Sequence, residues 1–150
     1  MKVLTHGLAM LLLLLVIVVP VVAADDDNRY SYLTVQSVEI QLNNHNATVN
    51  VTYTIDDGVQ VLVHLLGMSD LREKVLDVVN FEDATIDEIT MDHAVLSVPG
   101  VGLDYGRGTF WFPEHEFPVK IPSLVVASPQ DRREFENTSV FPEGIGYFKV

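Results

Sequence analysis

From residue 30 onward apolar and polar positions alternate along most of the chain. Leu33 and Val35 share one phase and Val38, Ile40 and Leu42 the other, so a bulge near Gln36-Ser37 is needed to keep both sets on one face. Asn43-Asn44-His45-Asn46 reads as a turn. Ala47, Val49, Val51, Tyr53 and Ile55 then alternate with Thr48, Asn50, Thr52 and Thr54, the pattern of a strand with one dry and one wet face. Asp56-Asp57-Gly58 predicts a second turn, followed by a strand carrying Val59, Val61, Val63 and Leu65, which makes three antiparallel strands in succession. One helix interrupts them. Asp70 with Glu73 three residues later forms a capping-box pattern, and Leu71, Val75, Val78 and Val79 fall on one side up to about Asn80.

Strand patterns resume over 84–91 and 94–98, with Asp92-His93 as the turn between them, and over 109–112. Pro113, Pro118 and Pro122 predict an extended, irregular stretch that gives way to a short strand over 124–127. Ser128-Pro129 starts a helical turn through Phe135, since proline suits the first helical position, and residues 144–150 form a last strand. The fold class expected is mainly β, a β-sandwich-like antiparallel arrangement with one short α-helix near 70–80, or alternatively α+β.

The first 24 residues are different in kind. Lys2 precedes an unbroken apolar run from Leu8 to Val19, and Pro20 and Val22-Ala23-Ala24 lead into Asp25-Asp26-Asp27. That is the layout of a secretory signal peptide with a cut before Asp25. Residues 7–24 are uncharged and span roughly 27 Å as a helix, so an uncleaved membrane anchor is the alternative. Positive charge before the apolar run and negative charge after it place the remainder outside the cytoplasm under either reading, secreted or anchored by 7–24. Residues 25–150 are expected to form a single extracytoplasmic domain.

Once Lys2 is set aside with that leader, eight basic residues face 21 acidic ones. Such a surface repels phosphate backbones, and no basic stripe offsets it, so nucleic acid is not an expected partner. The chain contains no cysteine, which removes disulfides, thiolate zinc sites and cysteine nucleophiles, and leaves stability to the core.

Glu114-His115-Glu116 is the most metal-like cluster. In an extended segment its side chains alternate faces, and the position four after His115 is Val119 where a zinc-protease helix needs a second histidine, so a solvated loop is expected instead. His45, His64 and His93 are scattered, with His64 on the non-core phase of its expected strand. Asp56-Asp57-Gly58 and Asp25-Asp26-Asp27 lack the alternating oxygen ligands of a calcium loop. Gly100, Gly102, Gly106 and Gly108 do not form a phosphate cradle, because Tyr105 stands where the dinucleotide fingerprint needs glycine. No catalytic, cofactor-binding or metal residue is assigned. Three sequons stand out: Asn46-Ala47-Thr48, Asn50-Val51-Thr52 and Asn137-Thr138-Ser139 make Asn46, Asn50 and Asn137 glycosylation candidates, against about one expected by chance for this composition. Among the aromatic residues of the second half, Phe110 and Phe112 share one strand face, while Trp111 takes the other and is the candidate exposed contact.

Tyr53-Thr54-Ile55-Asp56-Asp57-Gly58, then Asp104-Tyr105-Gly106-Arg107-Gly108 leading to Trp111-Phe112-Pro113, and the ending Gly144-Ile145-Gly146-Tyr147 resemble small exported proteins of methanogenic archaea. The resemblance covers most of residues 25–150 and implies no catalytic or ligand residues. The expected function is a non-catalytic, extracytoplasmic cell-surface structural or interaction module with a surface protein or glycan as partner. The alternatives are a ligand-binding or hydrolytic domain assembled from distant residues and a divalent-ion-dependent adhesive domain. An enzymatic reporter that works only outside the cytoplasm, fused after Val150, is expected to be active in cells; activity confined to a cytoplasm-dependent reporter would reverse the assigned sidedness.

Overall fold

The computed structural model of the protein describes residues 27–150, so the apolar run and the cut expected before Asp25 lie outside the described residues. Ten strands and two helices follow in the order β1 (Arg29–Tyr30), β2 (Leu33–Asn43), β3 (Asn46–Ile55), α1 (Asp57–Leu66), α2 (Ser69–Val79), β4 (Thr85–Ile89), β5 (His93–Val98), β6 (Leu103–Gly106), β7 (Thr109–Phe112), β8 (His115–Ala127), β9 (Arg132–Phe141) and β10 (Ile145–Phe148). The fold is mainly β. The large sheet runs β4-β5-β3-β2-β8-β9 with β1 added beside β2, and the small sheet runs β10-β7-β6. Every pairing is antiparallel except β2 with β8.

Period-two patterning builds the centre of the large sheet as expected. The β2–β3 register slips between Val35 and Ser37, and that bulge lets Leu33, Val35, Val38, Ile40 and Leu42 all point inward. Opposite them Ala47, Val49, Val51, Tyr53 and Ile55 are buried, and Ala94, Leu96, Val98, Ile121, Leu124 and Val126 extend the same dry face across β5 and β8. The other face carries Thr48, Thr52, Thr54 and Gln41 in solvent. All covering therefore lies on one side. Helix α2 supplies Leu71, Val75, Val78 and Val79, and the small sheet supplies Phe110, Phe112, Ile145 and Tyr147, all in one apolar cluster with the large sheet. Two layers with helix and sheet sharing the cover fit both the sandwich-like and the α+β descriptions.

Four expectations are corrected. Residues 57–66 are helix α1, not a third hairpin strand. The edge of β3 that such a strand would use is occupied by β5, with Ala47 opposite Val98, and Leu62 and Leu66 occupy the phase a half-wet strand needs polar. The backbone amides of Val59 and Gln60 donate to the Asp56 carbonyl at 2.8 and 3.0 Å, and the Gln60 side chain donates to Ile55 O at 2.9 Å, which closes the first turn. Helix α2 begins after Met68 with no side-chain cap, and Asp70 accepts a hydrogen bond from the Tyr32 hydroxyl at 2.5 Å rather than capping. Of the proline stretch, Pro118 and Pro122 lie within one long strand, β8, and Pro113 just precedes it. Pro118 falls inside the irregularity between Glu116 and Ile121, and β2 begins to pair with β8 only at Ser123, so proline's missing N–H interrupts little of the ladder. Finally, Ser128 to Asp131 is a turn, closed by the Ser128 amide donating to Asp131 O at 2.7 Å, and Arg132 opens β9 where a helical turn was expected.

At Gly144, with φ 61°, a Cβ would lie 2.6 Å from Trp111 Cζ2 and 2.7 Å from Phe112 O. Gly144→Ala is expected to cost about 3 kcal/mol from overlap plus left-handed backbone, and Gly100→Ala, at φ 69° in open space, about 1 kcal/mol. Urea midpoints at constant slope measure both; equal losses would show that Trp111 is not seated on Gly144.

Candidate functional site

The outer face of the small sheet is the aromatic surface of the molecule. Strand alternation sends Phe110 and Phe112 inward and Trp111 outward. Leu103, Trp111 and Gly146 lie opposite one another across the three strands, and Thr109 pairs with Phe148. The Trp111 ring lies against Gly144 and Gly146; a Cβ at Gly144 would overlap it at 2.6 Å, whereas one at Gly146 would meet it at an ordinary 3.4 Å. Trp111 is 38% exposed, as are the large apolar residues Leu103, Tyr105 and Phe148 to a greater degree. The inner face is locked by Phe112 stacked on Phe141 at 5.5 Å, Phe110 on Tyr147 at 5.7 Å, and the Tyr147 hydroxyl donating to Asn44 O at 2.5 Å. A rigid apolar ring thus sits on a backbone platform, able to stack on a flat partner at little entropic cost.

The sequon asparagines lie elsewhere. Asn46 opens β3, exposed, and its Oδ1 accepts the Gly100 amide at 3.3 Å, leaving the engaged atom distinct from the Nδ2 that would carry a glycan. It borders an open depression of about 440 Å³ lined by Asn43, Asn44, Thr48, Thr85 and Ser97, a lining of amides, hydroxyls and aliphatic groups without a carboxylate, imidazole or cation. Asn50 is half-buried on the wet face between Glu39 and Val95. Asn137 is exposed at φ 51° in β9. Thr48, Thr52 and Ser139, the hydroxyl residues of the three sequons, are all exposed.

His115 is not in a solvated loop. It is half-buried in β8, stacked on Phe81 at 3.9 Å, and its Nε2 lies 2.8 Å from Val79 O, which fixes that nitrogen as the protonated donor. Burial holds its pKa below the ordinary histidine value, and Glu114 and Glu116 are exposed. His64 lies exposed on α1 rather than on a strand. Among the described residues, no group of three or more histidines and carboxylates is placed to hold a metal ion.

The histidine–carboxylate contact that does form was not expected. At the β4–β5 turn, His93 Nδ1 lies 2.9 Å from Asp92 Oδ1 and 2.8 Å from Thr90 Oγ1, and Nε2 lies 3.6 Å from Glu88. A nucleophile relay needs hydroxyl and carboxylate on opposite ring nitrogens. Here Thr90 and Asp92 both meet Nδ1, and Glu88, the carboxylate nearest Nε2, stands at 3.6 Å, beyond hydrogen-bond reach, so the cluster closes a turn. Tyr30 and Tyr32 likewise donate to Asp77 and Asp70, tying β1 and the turn after it to α2. Their phenols titrate above the ordinary value, Tyr30 chiefly through that hydrogen bond and Tyr32 chiefly through burial. Adjacent Asp92-His93 was visible in the sequence as a turn; the reach of Thr90 depended on the turn's shape. Compared with known proteins, the chain matches no family model, and no curated protein or solved structure matches it.

The Asp92 hydrogen bond raises the His93 pKa above 6.5, while hydrogen bonds from Thr90 and then His93 lower that of Asp92 below 3.8. The raised histidine contributes stability that is lost as pH climbs through its folded pKa. The lowered aspartate contributes stability that is lost as pH falls through its own. The turn is therefore most favoured between about pH 3.8 and 6.5. An NMR titration should place the His93 midpoint above 6.5, and Asp92→Asn should move it down; an unmoved midpoint would remove Asp92 as the cause.

Proposed function

We propose that the protein is a non-catalytic, extracytoplasmic module of the cell surface, which engages a surface glycan or protein through the outer face of β6, β7 and β10. One observation carries the reading. Trp111 lies flat over Gly144 and Gly146 with Leu103, Tyr105 and Phe148 exposed around it, an apolar and aromatic patch on a strongly acidic chain. Aromatic anchors of this kind concentrate binding energy in surface recognition. The polar face of the large sheet and the three sequons suit exposure to an extracellular setting, where carbohydrate on Asn46, Asn50 or Asn137 would leave the Trp111 surface uncovered.

Trp111 is the only tryptophan, so its fluorescence reports on this surface directly. Titration with envelope glycan and protein fractions of the host should change that emission. Trp111→Ala, assayed by retention on the same immobilised fractions, should weaken binding tenfold or more with circular dichroism unchanged, the loss expected for an anchor residue. Full retention of binding by a folded Trp111→Ala variant would move the contact elsewhere.

A further inference from the structure

The sheet holds the three sequons in different ways. Asn50 lies mid-strand in β3, opposite Glu39 of β2 on one side and Val95 of β5 on the other. Asn46 opens the same strand, and the rest of its sequon is held on both sides, Ala47 between Leu42 and Val98 and Thr48 between Gln41 and Ser97. The Asn46 Oδ1 is also engaged by the Gly100 amide. Asn137 stands on β9, which ends the large sheet and pairs with β8 alone.

We propose that Asn137 accepts an N-linked saccharide on the folded domain, whereas Asn46 and Asn50 accept one only before β3 is paired. The inference rests on the extracytoplasmic reading above for the site to meet a glycan donor in the cell. Register is the first argument. Ile121 faces Thr138 and Ser123 faces Glu136, which sets Asn137 across from Pro122, a residue with no N–H to give. Beyond Thr138 the β8 register jumps from Ile121 to Glu116, so Ser139 has no ladder partner among the described residues. The two residues that a sequon's chemistry requires, Asn137 and Ser139, are thus the ones the sheet leaves out of register, and both are exposed. Conformation is the second. Asn137 has φ 51°, and the Thr138 hydroxyl closes the turn after it, donating to Val140 O at 2.7 Å and accepting the Val140 amide at 3.1 Å. A left-handed backbone explains asparagine at 137 without any glycan, but it does not explain Ser139 two places on. Lifting this segment from a sheet edge breaks few hydrogen bonds, while lifting Asn50 or Thr48 parts a strand from two neighbours.

Room for the sugar is the third. Asn137 borders an open depression of about 270 Å³ lined by Asp27, Asn28, Lys120 and Pro122. Lys120 holds Asp27 twice, by an ion pair and by its amide donating to Asp27 O at 2.8 Å, so these walls are polar and fixed. A first saccharide there meets hydrogen-bonding groups beside the proline ring. In the transfer, Asn137 Nδ2 bonds to the anomeric carbon of a saccharide carried on a lipid phosphate. The bond from that carbon to the phosphate oxygen breaks, its electron pair leaves on the phosphate, and the proton lost from Nδ2 passes to a base of the transferase.

Full-length protein made without glycosylation is incubated with a purified single-subunit oligosaccharyltransferase and a saccharide linked to lipid phosphate. Its tryptic fragments 30–72 and 134–149, which carry the three sequons, serve as unfolded acceptors, and products are read by intact and peptide mass. Folded protein should gain one saccharide, at Asn137, while Asn46 and Asn50 react at least tenfold more slowly than in fragment 30–72. Asn137→Gln and Ser139→Ala should each remove that gain with circular dichroism unchanged. A folded chain left unmodified at Asn137, or modified as fast at Asn46 or Asn50, overturns the inference. Export is read separately by the reporter fused after Val150, so its failure overturns the extracytoplasmic reading while the acceptor preference measured with purified components stands.

Discussion

One dry sheet face must be covered, and no covalent bond helps to cover it. The inward residues of β2, β3, β5 and β8 form a surface too wide for α2 alone, so the small sheet completes the cover with Phe110, Phe112, Ile145 and Tyr147. With no cysteine in the chain, apolar burial and the hydrogen bonds at its margins carry the whole fold. The Tyr147–Asn44, Tyr32–Asp70 and His115–Val79 bonds mark where cover meets sheet, and each leaves the buried part of its ring satisfied.

This one-sided construction determines what the outside offers. The large sheet presents hydroxyls, amides and a few ion pairs such as Arg132 with Glu39, a hydrated face on which Asn50 is central. The small sheet, being thin, must expose its second face, and there the sequence places Leu103, Trp111 and Phe148 instead of polar residues. Helix α1 meets the core only through buried Val63 and half-buried Val59, and so leaves its aliphatic stripe outward. The two apolar surfaces thus lie on different elements: an aromatic platform on the small sheet and an aliphatic strip on α1.

How much of this could be read from the residues varies with the range of the interaction. The β2 bulge, the β2–β3 hairpin, helix α2 and the outward turn of Trp111 follow from local periodicity. Helix α1 did not, because Val59, Val61, Val63 and Leu65 satisfy period two while Val59/Val63, Val61/Leu65 and Leu62/Leu66 satisfy helical spacing equally well. Only the occupation of the β3 edge by β5 decides between them. The long β8 was obscured by its prolines, which are harmless where the ladder is already interrupted.

By itself the sequence determined the alternation that makes one sheet face dry, the absence of cross-links, the acidic surface and the positions of the sequons, since each depends on residue type and nearest spacing. Tertiary structure alone decided which strands are neighbours, that His115 is enclosed by Phe81 and Val79, that Thr90 and Asp92 share one nitrogen of His93, and that the Leu62–Leu66 stripe has no protein cover among the described residues. Those outcomes require segments far apart in the chain to meet, and chain connectivity fixes such meetings only when the whole core closes.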